Sequence, residues 1–97
     1  MKRLLIAAVG ALVCGGALAD DAPGPLKPGA GEDVASANCS VCHTSDYIVM
    51  NSTFLTQAGW TAEVTKMRTA FGAPIDDATA AQIVTYLATH YAVTPKP

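Results

Sequence analysis

The sequence predicts a small all-α domain of three helices joined by one long ordered loop, and three observations carry that prediction. Apolar residues recur at helical intervals in two long segments. Between those segments lie the helix-stopping Gly72 and Pro74 and the cap candidates Asp76 and Asp77. No stretch alternates apolar and polar residues over strand length between hairpin turns. A chain of 97 residues without an internal repeat has room for a single core.

The elements follow in chain order. Lys2 and Arg3 precede an apolar run over residues 4–18, and Ala17, Leu18 and Ala19 form a small-x-small cleavage pattern, so residues 1–19 read as a secretory signal peptide. The run is shorter than the roughly 20 residues of a bilayer-spanning helix. Cys14 follows the bulky Val13, which argues against a lipoprotein cysteine. Residues 20–31 contain three prolines and three glycines and form an extended arm, either a loose lead-in or a strap along a partner subunit.

Residues 32–42 can make a short helix with Val34, Ala35 and Asn38 at helical spacing, and Glu32 and Asp33 put negative charge at its positive end. Residues 44–59 mix polar, β-branched and aromatic side chains without a sustained period and read as an ordered loop. Residues 60–71 are the second helix: Trp60, Val64, Met67 and Phe71 share a face, with Glu63, Lys66 and Arg68 off it. Asp76 or Asp77 caps the third, whose apolar stripe is Ala80, Ile83, Val84, Leu87, Ala88 and Tyr91. Residues 94–97 are a tail. A structureless loop of this length in so small a domain wraps something functional as a rule.

Cleavage after Ala19 would leave 78 residues, in which eight acidic residues oppose Lys27, Lys66, Arg68 and Lys96, a net charge of −4. That balance excludes an electrostatic footprint for nucleic acid or anionic lipid and points to protein partners. A domain of this size needs more than an apolar core, and the remaining cysteines, Cys39 and Cys42, are where a staple can be placed.

Cys39, Ser40, Val41, Cys42 and His43 make the C-x-x-C-H pentapeptide of covalent haem attachment. The two thiols can each add to one vinyl group of a porphyrin, and the next residue supplies an imidazole to the iron. A disulfide would leave His43 unexplained, and a redox pair lacks the βαβ context it needs. A zinc site recruiting Cys39, Cys42, His43 and His90 has an awkward pair of neighbouring ligands. An iron with two protein ligands transfers electrons, whereas an open position binds small molecules. The second ligand is sought among Met50, Met67 and His90. Met67 lies on the helix whose Trp60, Val64 and Phe71 could line an apolar pocket. Met50 is seven residues from His43, and His90 suits the end of its own helix without any metal.

Through CSVCHTSDYIVMNS, GWTAEVTKMRTAFGAPI and IVTYLATHY, most of residues 38–91, the chain resembles the small class I-like cytochromes c. More closely it resembles the haem c subunit of bacterial sulfite dehydrogenase, the sulfite:cytochrome c oxidoreductase. HTSDYIVMNS together with W-x3-V-x2-M-x4-G-x-P carries the closer likeness. The resemblance implies about three helices around one covalent haem c, with Cys39 and Cys42 attached to it and His43 and Met67 as axial ligands. Trp60 and Pro74 belong to the same segment, and Phe71 is expected at the pocket with them. It further implies a periplasmic, non-catalytic electron-transfer subunit in a heterodimer. Its partner would be a molybdenum-cofactor subunit that oxidises sulfite to sulfate and passes electrons singly, and a further cytochrome c or oxidase would accept them. Related short cytochromes also accompany quinoprotein dehydrogenases. A free soluble carrier, a haem subunit of another periplasmic dehydrogenase, and a haem enzyme or gas sensor with an open sixth site remain the alternatives.

Overall fold

The computed structural model describes residues 24–96, together with Gly10. The expected signal peptide, Gly10 apart, lies outside the described residues, as do residues 20–23 of the arm and Pro97. The described residues form four helices, α1 (Glu32–Cys39), α2 (Asp46–Asn51), α3 (Gln57–Thr69) and α4 (Asp77–Tyr91), and no strand. The all-α class is as expected, but the ordered loop contains a helix of its own.

That helix, α2, is too short to display a period. The Thr44 and Ser45 carbonyls accept the N–H groups of Tyr47, Ile48 and Val49, and Asn51 Nδ2 returns to the Tyr47 carbonyl at 2.8 Å. Burial of Ile48, 4% exposed, anchors this single turn and a half against the core. α1 stops at Cys39, short of the expected Cys42, so Ser40, Val41 and Cys42 lie beyond its end.

α3 starts three residues before Trp60, because Thr56 is its cap: Gly59 N–H donates to Thr56 Oγ1 at 3.2 Å. It also ends two residues before Phe71. Gly72 adopts φ +68°, which L side chains rarely take, and the chain turns back so that Ala73 N–H reaches the Met67 carbonyl at 2.9 Å. Phe71 therefore stands outside the helix and is exposed. Asp76, the first of the two cap candidates, caps α4 by accepting from Thr79 N–H at 2.7 Å, which holds its carboxyl below the ordinary aspartate value.

α4 is the buttress on which both α1 and α3 pack. Trp60 Nε1 at the start of α3 donates to the Tyr91 carbonyl at the end of α4, and Arg68 at the far end of α3 pairs with Asp77 at the start of α4, so the two run antiparallel. The core holds Ala35, Ile48, Trp60, Val64, Ala80, Ile83, Tyr86, Leu87 and Tyr91, and Leu26 joins it from the arm.

Residues 24–31 are tied to their own domain. Lys27 N–H donates to Tyr91 Oη at 2.8 Å, Tyr86 Oη donates to the Lys27 carbonyl at 2.6 Å, and Lys27 Nζ reaches the His90 carbonyl at 2.8 Å. The ammonium also sits 4.8 Å above the Tyr91 ring. Gly29 passes so close to His90 that a Cβ there would stand 2.5 Å from Nε2. Two tyrosine hydroxyls of α4 thus satisfy both the N–H and the carbonyl of Lys27. Leu26→Ala should cost about 2 kcal/mol of folding stability and Tyr86→Phe about 1 kcal/mol, both read from urea unfolding of the haem-loaded protein.

Candidate functional site

A cleft of about 450 Å3 opens among α1, the segment after it, α2, α3, the turn after α3, and α4. α4 supplies its floor through Ile83 and Leu87, α2 adds Ile48, and α3 adds Trp60 and Val64. Cys39, Cys42 and His43 line it from the end of α1 and the segment after it, and Met67, Phe71, Ala73 and Ile75 from α3 and its turn. The volume falls within the range of cofactor sites, and the walls are mostly aliphatic and aromatic carbon.

Cys39 closes α1 half-buried, and burial pushes its thiol above the ordinary value. Cys42 is exposed, and no disulfide joins the two. His43 is exposed as well, and its ring stacks on Tyr47 with centroids 4.9 Å apart and planes 17° from parallel. Tyr47 Oη donates to Glu63 Oε2 at 2.9 Å, and Lys66 Nζ donates to Glu63 Oε1 at 2.7 Å. The Lys66 bond, with help from Tyr47, holds the Glu63 carboxyl below its ordinary value, and the bond to Glu63 raises the Tyr47 phenol.

The three candidate second ligands are separated by the fold. Met67 is half-buried and lines the cleft with His43. Met50 is 71% exposed on α2 and outside the lining. His90 is also outside it, packed on the Tyr86 ring at 4.9 Å beside the arm. Trp60 and Phe71 line the cleft, whereas Pro74 is exposed and does not, its role being to shape the turn.

Two lining residues depart from the sequence pattern. Glu63 and Lys66, expected off the apolar face of α3, border the cleft. Glu63 is four residues before Met67 and so stands one turn above it on the same flank, a signal hidden by its charge. Tyr47 belongs to the stretch expected to be loop, and nothing short of the α2 turn places its ring beside His43.

Among the described residues no group of three His, Cys, Asp or Glu side chains is placed to hold a metal ion. The donor set is two thiols, an imidazole and a thioether around an apolar slot. Spread along the slot rather than gathered around one point, that set fits a planar group which brings its own metal, as haem does.

Arg68 braces the wall from behind. Its Nε donates to the Ile75 carbonyl at 2.8 Å and its guanidinium pairs with Asp77. Asp77 is almost fully exposed, so the carbonyl bond is the larger part. Arg68→Ala should lose about 1 kcal/mol and raise the hydrogen-exchange rate of the Ala73 amide, measured by NMR.

No curated protein matches this chain. The family described as quinohemoprotein amine dehydrogenase A, alpha subunit, haem binding, matches residues 29–97, which takes in all four helices and every residue of the cleft. The chain therefore belongs to that family of haem-binding domains.

Proposed function

We propose that this chain is the electron-transfer subunit of an exported, periplasmic dehydrogenase, holding a single haem c through Cys39 and Cys42 with His43 and Met67 on its iron. The observation that carries the proposal is that these four side chains share one apolar cleft while Met50 and His90 do not. When bound, the haem supplies a one-electron couple at its iron.

The residues of the chain do the rest. Cys39 at the end of α1 and Cys42 in the segment after it would hold the ring covalently, each by addition of its S–H across a vinyl C=C, which needs no oxidant. His43 and Met67 would hold the iron, and two protein ligands would suit it to passing electrons rather than to binding a substrate. A methionine ligand paired with histidine raises the potential, suiting an acceptor from a dehydrogenase. Trp60, Val64, Ile83 and Leu87 keep water from the ring. Phe71, which lines the cleft and is 67% exposed, would border the side from which partners exchange electrons.

Oxidation of the substrate then belongs to another chain, a reading supported by the dehydrogenase in the family's description. The likeness of HTSDYIVMNS and the W-x3-V-x2-M segment to sulfite dehydrogenase supports a molybdenum-cofactor subunit oxidising sulfite, with a further cytochrome c or oxidase downstream. The family description favours a second reading, an amine-oxidising quinoprotein partner. Sulfite added to the native complex should reduce its haem, with molybdenum present; reduction by a primary amine and not by sulfite would select the second. Met67→Ala should give a high-spin or ligand-substituted haem of lower potential that binds carbon monoxide, while Met50→Ala leaves the optical spectrum unchanged.

A further inference from the structure

We propose that Tyr47, held by Glu63, is a positioning residue for His43: it fixes the plane of the imidazole at the cleft and shields one of its faces from water, and through that ring it tunes the haem. The inference rests on the reading of His43 as an iron ligand.

His43 lies on the short segment between α1 and α2, exposed, where an imidazole has several rotamers open to it. The Tyr47 ring, stacked at 4.9 Å and 17°, selects one of them and covers one face. Tyr47 is itself fixed at both ends. Its backbone is in the first turn of α2, and its hydroxyl is bound to Glu63, which Lys66 grips in turn. Glu63 stands one helical turn from Met67 on α3, so the orientation of His43 is referred, through Tyr47, to the helix that carries the other ligand.

Two consequences separate this role from a simple staple between α2 and α3. A freed ring changes its plane relative to the second ligand, which the g-values of the low-spin ferric state read directly. A wetter ligand environment favours the more highly charged ferric state and lowers the reduction potential.

The test uses the fully haem-loaded protein and two substitutions that leave charge unchanged. Tyr47→Phe keeps the ring and removes the hydroxyl bond to Glu63, and Tyr47→Leu removes the ring as well. The expected order of potential is wild type, then Phe, then Leu, with the Leu variant shifted by about threefold in the reduction equilibrium, which is about 28 mV for a one-electron couple. The g-values should move in the same order. Glu63→Gln keeps an acceptor for the Tyr47 hydroxyl and should retain the wild-type g-values. Lowered thermal stability with unchanged g-values and potential in both Tyr47 variants would overturn the proposal while leaving His43 as ligand. A wild-type spectrum in His43→Ala would overturn the reading beneath it. Should the Leu variant fail to assemble, the Phe variant carries the test, because a g-shift is expected there too.

Discussion

The packing of α4 against α3 is the constraint on which the rest of the molecule depends. Ile83, Leu87, Trp60 and Val64 are buried core residues and cleft-lining residues at once. The same four side chains therefore close the core and line the slot. A domain this small has too little interior to separate the part that stabilises from the part that binds. Any loss of packing between the two helices is also a change in the wall of the site.

Around that contact the remaining elements are held by bonds at the ends of helices. Trp60 Nε1 to the Tyr91 carbonyl fixes one end of the antiparallel pair, and Arg68 with Ile75 and Asp77 fixes the other. α1 reaches α4 through Ala35, fully buried, and this places Cys39 at the cleft. No buried side-chain nitrogen or oxygen among the described residues lacks a partner. The polar chemistry of the interior is thus complete, and the unfinished surface is apolar and sulfur-bearing.

The sequence made the helical class legible because α3 and α4 are long enough to show a 3.6-residue stripe, and the cap at Asp76 marks where the second one begins. α2 was hidden because six residues hold less than two turns, and its Ile48 and Val49 are β-branched residues of modest helix propensity. The spacing of Cys39, Cys42 and His43 was legible since local chemistry demands contiguity. Met67 was legible as a face-mate of Trp60 and Val64. Tyr47 and Glu63 were not, because their bond joins α2 to α3 across 16 residues and depends on a turn that leaves no pattern, and Lys66 enters the site only through its i,i+3 pair with Glu63. Phe71 was misplaced by extending the stripe past Thr69, where the backbone of Gly72 and Ala73 overrides it.

The hold on Lys27 bears on the order in which the chain can fold. Its backbone N–H and carbonyl are bonded by tyrosines 64 and 59 positions further along and its ammonium by the His90 carbonyl 63 positions along, the longest-range hydrogen bonds among the described residues. Such contacts close the largest loop in the domain and form late, since the entropy of bringing distant segments together must be met first. A chain emerging amino end first cannot make them until α4 has appeared. Until then Cys39, half-buried in the folded domain, has no completed core to withdraw into, so the period in which its thiol is as open to chemistry as that of the exposed Cys42 is set by the arrival of the last helix.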